Sequence, residues 1–455
     1  MSSINLPSFV EGLLTGILIG VVTLAVYQFL HAILKQPRLT SRAVKLNDED
    51  FPTNEARALF IAKNSLYSAI ERRRLRNNKT KQILHAGYRN FRESWARDFG
   101  FAAFGLLAMK QYRVIKDTLE AFLDHQTEQG QLPVKLHSMS PTVRYFHSLF
   151  EREQPMEMPL RPKYLSAHGA PSLDGQALLV MAAIHYSHEA EDVKFIQTHW
   201  DALVKALAWI ETSAKDPNGE LLIQGPFADW ADSIDRRGRV LYTNVLYWQA
   251  LREMSTACLR LENQAGCAAY KEKAERVATA IQKTLWRPSL GYFAASDALD
   301  HLTSSGNLLA IAWGLATEEQ ASMILEAMDK AEMSTPVPAK VAHPPYPMHL
   351  IALENRLIGA ANYHTDAAWM WIGAWHVIAL ARVKRLEESH TLLARIADLI
   401  VHDRQIHEVY SPMANRSQTL VHLRVTAYLE RRHDYLCSPC LGAYRPHRSR
   451  LNQQR

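Results

Sequence analysis

A chain of 455 residues, 47% hydrophobic and 22% charged, has the make-up of an ordinary globular protein, which excludes disorder over most of its length. The formal charge of +6 is small for this size. Part of the excess lies in the basic stretch 445–455, which reads as a solvated terminus and not as a nucleic-acid surface.

Residues 12–34 contain no Asp, Glu, Lys or Arg. A run of about 23 such residues is long enough to cross a bilayer. No basic segment precedes it and no small-residue cleavage site follows, so it reads as an uncleaved anchor and not as a signal peptide. Glu11 lies before the run, and Lys35, Arg38, Arg42 and Lys45 lie after it. That asymmetry predicts a single-pass protein whose main domain is cytoplasmic. The division expected is an anchor over 1–35, a linker over 36–53 that contains Pro37 and Pro52, a main domain over 54–435, and a basic tail over 436–455.

Beyond the linker, apolar residues recur at helical spacing. The periodicity predicts helices near 54–73, 93–110, 112–129, 173–189, 193–214, 243–263, 266–286, 303–315, 317–331, 364–383, 385–402 and 416–432. In 243–263, for example, Tyr247, Ala250, Leu251, Met254, Cys258 and Leu261 fall on one side. Twelve helices joined by loops point to an all-α fold. No sequence repeat of fixed period is visible. Three irregular segments, 131–172, 216–242 and 335–361, are longer than connections in compact domains usually are, and such loops tend to carry function.

Four segments could carry chemistry. Trp95, Arg97 and Asp98 open an apolar helix; the indole offers a face to a sugar ring, and the carboxylate accepts hydrogen bonds from hydroxyls. Asp98 would equally serve as a helix cap. Asp229, Asp232 and Asp235 crowd one loop around Trp230, in the run Gly-Pro-Phe-Ala-Asp-Trp-Ala-Asp-Ser over 225–233. Like charges against an apolar wall raise a carboxyl pKa, as a general acid requires. Asn362, Tyr363, His364, Asp366, Trp369 and Trp371 place polar groups ahead of a Trp-rich helix that lines a subsite or fills a core. Glu408 lies between His407 and Val409, a setting that fits a base or a surface residue. No histidine spacing matches a metal motif, and Cys437 and Cys440 form a lone CxxC that reads as ordinary thiols, so neither metal nor cofactor is expected.

Together these segments resemble inverting glycosidases of the (α/α)6-barrel type, above all the glucosidase domain of glycogen-debranching (amylo-α-1,6-glucosidase) enzymes, and next the neutral/alkaline invertases. The resemblance covers roughly 54–430. It rests on Trp95 to Phe99, similar to an Arg-Asp-Phe sugar-subsite motif, and on Asp229 to Asp232 followed by Tyr242 to Tyr247, which looks like an acid loop and its helix. Ser305 to Ala310 is similar to a structural stretch of these barrels, and Glu408, ten residues before Gln418, to the invertase general base. It implies Asp232 as acid and Glu408 as base, in the loops before the sixth and twelfth helices. Asp235, in Ile234-Asp235-Arg236-Arg237, is the alternative acid. Trp95, Arg97, Asp98, Asp174, Asp229, Trp230, Asn244, His364, Trp369 and Gln418 are the implied sugar-binding residues. Inversion would need the two carboxyls roughly 6.5–9.5 Å apart. The carbohydrate substrate and the membrane are the partners expected. Two other readings stay open: a sugar epimerase or isomerase using His168, His364 and His407, and a non-catalytic, membrane-attached carbohydrate-binding protein.

Overall fold

The computed structural model describes residues 6–39, 50–75, 78–87 and 91–410. The predicted helix over 416–432, Gln418, the Cys437 and Cys440 pair and the basic tail lie outside the described residues. Helix α1 (Leu6–Leu34) is, among the described residues, the one helix long and apolar enough to cross a membrane; a signal sequence passes the same test of length and composition.

Helix α2 (Asn54–Ser68) is capped by Thr53, whose side chain accepts from the Ala56 N–H. It is shorter than the predicted 54–73 because the chain turns into strand β1 (Ile70–Arg74), paired antiparallel with β2 (Thr80–Leu84). Strand β3 (Ser94–Trp95) likewise takes the start of the predicted 93–110 helix, and α3 (Ala96–Ala108) follows. Next come α4 (Tyr112–Leu123), β4 (Lys135–His137), α5 (Pro141–Leu149), β5 (Arg161–Lys163), α6 (Asp174–Glu189), α7 (Val193–Ser213), α8 (Leu241–Arg260) and α9 (Gln264–Leu285). The chain continues through β6 (Trp286–Arg287), β7 (Tyr292–Ser296), β8 (Leu299–Thr303), α10 (Ser304–Ala312), α11 (Glu318–Lys330), β9 (Ala342–His343) and α12 (Leu353–Leu357). It closes with β10 (Ala368–Trp369), α13 (Met370–Arg382), α14 (Leu386–Asp403) and β11 (Val409–Tyr410).

The all-α expectation therefore needs correcting in one respect. Small antiparallel sheets, β1-β2, β3-β4-β5, β6-β7-β8-β9 and β10-β11, brace the loops. Strands of two to five residues are too short to show an alternation in the sequence.

Burial separates two classes of helix. All nine residues of α10 and thirteen of the sixteen of α6 are buried, whereas α9 buries four of twenty-two. Helices α3, α6, α8, α10 and α13 touch in that order, with α3 also meeting α13, and form an inner ring. Helices α2, α4, α7, α9, α11 and α14 alternate with them along the chain and carry the amphipathic pattern of an outer layer. The inner helices approach closely: a Cβ at Gly100 would lie 2.5 Å from the Leu178 side chain, and one at Gly306 2.7 Å from Leu241.

Turns that follow an inner helix are short, as at 109–111, 190–192 and 261–263, while the long loops 124–173, 214–240 and 331–369 precede one. All long loops therefore open at the end where the inner helices begin, called here the loop end. Near that end each of three inner helices uses a buried amide as a clamp. Gln176 bonds both the N–H and the carbonyl of Leu132 at 2.9 and 2.7 Å. Asn244 does the same to Leu222 at 2.7 and 3.1 Å, and Asn307 to Phe293 at 3.0 and 2.9 Å. Below the loops the ring is filled by aromatics: Phe101 stacks on Trp371 at 5.1 Å, and Trp375 meets Phe104 and Trp313 edge-on.

Candidate active site

At the loop end, the first turn of α3 presents Arg97 and Asp98, and the first residue of α6 is Asp174. Asp174 is fully buried and held from four sides. It accepts from Ser172 Oγ, from its own helix at Gly175 N (2.8 Å), from Tyr242 Oη (3.4 Å) and from Arg97 Nη1 (3.5 Å). Arg97 Nε also stands 3.9 Å from Asp98 Oδ2. Burial opposes the Arg97 charge, but Asp174, Asp98 and Asp232 overcome it and hold the guanidinium well above its ordinary value. Trp95, just upstream, has the Lys135 ammonium 4.3 Å from its ring centre, and that ammonium is in turn paired with Glu93 at 2.7 Å.

The loop 214–240 is pinned around Asp232. Both Asp229 oxygens are engaged within the loop, by Ala231 N (2.9 Å), Gln224 Nε2 (2.8 Å) and Arg236 Nη2 (2.7 Å), and its side chain is buried. Ser233 Oγ bonds His364 Nδ1 at 2.7 Å, and Ile234 pairs with Ile351. Asp232 is left between these anchors, half-buried, with no hydrogen bond to its carboxyl among the described residues. Burial raises it to about 6; Arg97 and His168 pull it down, while Asp229 and Asp174 push further up. Asp235 is differently placed. Its two oxygens accept from Arg237 Nε and Nη2 at 2.7 and 2.5 Å, in a pair whose arginine is exposed.

Glu408 reaches the same pocket from the opposite side of the chain's course. The pairing of β10 with β11, and the bond from Met370 N to the Glu408 carbonyl (3.0 Å), fix its backbone beside the start of α13. Its Oε2 accepts from Tyr363 Oη at 3.0 Å. Burial raises Glu408 to about 8, Asp98 and Asp232 add to the rise, and Tyr363 and Arg97 oppose it. Asp98 is raised as well, by burial, against Arg97. Asp98, Asp232 and Glu408 thus share one pocket around a single guanidinium, and each is held towards its neutral form.

Other predicted residues stand behind that pocket. Trp230 and Trp369 are buried; their indole N–H groups donate to Ser305 Oγ (3.1 Å) and to the Tyr363 carbonyl (2.7 Å), and the rings meet edge-on at 5.2 Å. They underlie the site and do not front it. Asn244 is the amide clamp described above, with Nδ2 also bonded to the Val240 carbonyl at 2.9 Å, so it is not free to bind a sugar. Asp229 holds the loop in the same sense. His364 is buried against Trp230 and Trp369, and burial together with Arg97 and Arg236 pushes it well below its ordinary value, leaving it neutral. The three histidines have separate surroundings: His168 meets Phe227 and Glu354, His364 meets Ser233, and His407 meets Gln405 and Tyr410. Tyr363 enters the sequence reading as one of several residues of 362–371, without a role of its own. Its only signal is the aromatic and polar density of 362–371, which does not say which member touches a carboxylate. Among the described residues no group of three His, Cys, Asp or Glu side chains is arranged to hold a metal ion.

The profile of the bacterial α-L-rhamnosidase six-hairpin glycosidase domain matches residues 88–337, more than half of the chain. A rhamnosidase from Klebsiella oxytoca with rhamnose bound has a similar structure, with a TM-score of 0.57 at 14% identity over 86% of this chain. The chain spans only 65% of that rhamnosidase's length. A GH63 mannosylglycerate hydrolase from Thermus thermophilus in complex with glucose gives 0.58 at 13% identity, over 81% of this chain and 97% of that one. The same hydrolase in complex with Tris and D-glycerate gives 0.58 at 12% identity, over 83% and 98%. At these identities the likeness shows the fold, a toroid of six helical hairpins. No curated protein matches the chain.

Proposed function

Because the chain belongs to the bacterial α-L-rhamnosidase six-hairpin glycosidase domain family and is thus a glycoside hydrolase, we propose an inverting mechanism in which Asp232 is the acid and Glu408 the base. Asp232 donates its proton to the glycosidic oxygen as the bond to the anomeric carbon breaks. Glu408 takes a proton from a water that attacks the same carbon from the other face. Asp98 and Arg97 hold sugar hydroxyls beside them, and Asp174 keeps Arg97 in place. The observation that carries this reading is the convergence of Asp232, from the loop before α8, and Glu408, from the segment after α14, in one pocket where burial raises both.

Two details support this assignment of roles. The Asp232 carboxyl has no described partner, so its proton is available to a substrate oxygen, whereas Glu408 accepts a hydrogen bond, as an ionised base does. Asp235 is engaged by Arg237 and lies among the perturbing charges of neither carboxyl, which favours Asp232 over it. One observation favours the reverse assignment: Glu408 is held higher than Asp232, as suits an acid. The pair then holds one proton between about pH 6 and 8, and the mechanism turns on which carboxyl carries it when substrate is bound.

The substrate proposed is a glucosidic bond of a glucoside or oligosaccharide, from the motif resemblance; the family alone is compatible with other glycones. Helix α1 is proposed as a membrane anchor with the barrel on the cytoplasmic side, from the flanking Lys35 and Arg38. The test is a hydrolysis screen of the full chain in detergent against α-glucosides, α-L-rhamnosides and α-mannosides, with the first-formed anomer read by NMR. Inverted product is expected; a retained anomer refutes the mechanism, and hydrolysis confined to another glycone refutes the glucosidic reading.

A further inference from the structure

The last turns of α1 are docked on the domain, and its described side chains from Leu14 to Tyr27 are not. Ile33 is buried, and Phe29 meets Phe146 of α5 edge-on at 5.3 Å. Just beyond the helix, Leu39 N bonds the Glu151 carbonyl (2.9 Å), Glu153 N the Pro37 carbonyl (2.8 Å), and Arg152 Nη1 the Gln36 carbonyl (3.2 Å). From Tyr27 back to Leu14 every described side chain is exposed, Tyr27 by 63% and Leu18 by 64%, so the helix projects away from the barrel and does not lie along it. At 1.5 Å per residue its 29 residues are about 43 Å long, more than a hydrocarbon core is thick.

Helix α5 lies in the loop before α6, so α1 is seated on the loop end, where the pocket opens. The same end carries exposed apolar side chains that have no reason to face water: Tyr145 and Phe150 on and just after α5, Leu165 beyond it, and Leu353, Leu357 and Ile358 on the α12 turn. The α12 turn and the Leu165 loop meet through Glu354 and His168, at 3.2 Å, next to Phe227 of the acid loop. The other end exposes few large apolar groups, among them Leu259 and Leu386. Lys35 and Arg38, both exposed, flank the projecting helix on the domain side. Aromatic and aliphatic side chains beside basic ones at the foot of a span are what a headgroup region accepts.

We propose that the loop end of the barrel is a lipid-facing surface: the bilayer that holds α1 also receives Tyr145, Phe150 and the α12 turn, and the pocket opens at the level of the headgroups. This rests on the reading of α1 as a span. A barrel so held meets glycosides displayed at the membrane surface before those in bulk solution.

The full chain, reconstituted in vesicles of phosphatidylcholine and phosphatidylglycerol that contain a phospholipid with a diazirine near the glycerol, is photolysed, and adducts are mapped by peptide mass spectrometry. Label is expected on α1, on peptides containing Tyr145 and Phe150, and on the peptide containing Leu357, but not on those containing Leu259 or Leu386. The double variant Tyr145→Glu, Phe150→Glu should lose label at Leu357 while keeping it on α1. Label on α1 alone overturns the proposal and leaves the span intact. Absence of label from α1 overturns both. Mutual protection of the loop end by cross-linked copies, without lipid adducts, assigns the surface to a second copy of the chain and overturns the proposal.

Discussion

The substitution Tyr363→Phe decides which carboxyl is the base. The ring keeps its packing against His364 and Trp369, and only the hydroxyl that donates to Glu408 is lost. That bond pulls Glu408 down against burial and Asp98, so its loss moves Glu408 up. A hydrogen bond to a charged group is worth about 1.5–3 kcal/mol, and about 1.4 kcal/mol is one pKa unit. The ionised form of Glu408 should therefore become about 10- to 100-fold rarer within the singly protonated pair. Wild-type kcat/KM against pH should be a bell with limbs near 6 and 8 that belong to the pair. In Tyr363→Phe the upper limb moves up by about one to two units, and the plateau falls about 10- to 100-fold, because the remaining proton sits on the carboxyl that must accept one. If Glu408 is instead the acid, the same change enriches the productive form, and the plateau holds or rises. An unchanged or higher plateau with a raised upper limb therefore refutes the assignment; circular dichroism and the melting temperature show whether the fold is intact.

The remaining tests address single residues. Asp232→Asn should lower kcat by about 10²- to 10⁴-fold on alkyl glycosides, the usual worth of a general acid, yet leave glycosyl fluorides far less affected because fluoride departs without a proton; Asp235→Asn should change neither by much. Glu408→Gln should abolish turnover on both substrate types and raise the melting temperature at alkaline pH. The sign follows from the raised value: the unfolded chain gives up the Glu408 proton near the ordinary 4.5 while the folded state holds it up to about pH 8, so stability falls as pH rises between the two and the loss is complete above 8, a cost that a neutral amide escapes. The gain should vanish below pH 4, where both side chains are neutral, and a gain that persists there would refute the cause given. Asn244→Ala leaves the Leu222 N–H and carbonyl unsatisfied and should destabilise the fold by about 2–4 kcal/mol by chemical denaturation.

What could be read in the chain beforehand was what repeats locally. The long inner and outer helices show because each is about two and a half to six turns of one periodicity, and the loops carrying Asp232 and Glu408 show because they interrupt it. The hairpin of β1 and β2 stays hidden: its five-residue strands read Ile-Glu-Arg-Arg-Arg and Thr-Lys-Gln-Ile-Leu, without an alternation that separates them from a helix end. The roles of Asp229 and Asn244 were hidden for a different reason. An acid or an amide beside a candidate catalytic residue looks the same in sequence whether it faces a ligand or the backbone of its own loop. Only Arg236 against Asp229, and Leu222 against Asn244, distinguish the two. Tyr363 became meaningful once Glu408 lay 3.0 Å from its hydroxyl, a contact across 45 residues that no local spacing encodes.

These hidden contacts explain how a pair of carboxyls carried on irregular segments can hold a fixed geometry. Neither Asp232 nor Glu408 lies on a helix, so the rigidity of the ring must reach them through a second layer. For Asp232 that layer is Asn244, which ties Leu222 to α8, together with Asp229, Ser233 and Ile234, which tie the loop to Arg236, His364 and Ile351. For Glu408 it is the two-residue pairing of β10 with β11 at the start of α13, plus Tyr363. His364 joins both sets, bonded to Ser233 next to Asp232 and adjacent in sequence to Tyr363, which touches Glu408. The loop of Asp232 and the segment of Tyr363 therefore share one contact, Ser233 to His364, in addition to their separate anchors. His364 is neutral there because burial, and then Arg97 and Arg236, disfavour the imidazolium, so one ring nitrogen meets Ser233 without adding a charge beside the two guanidiniums.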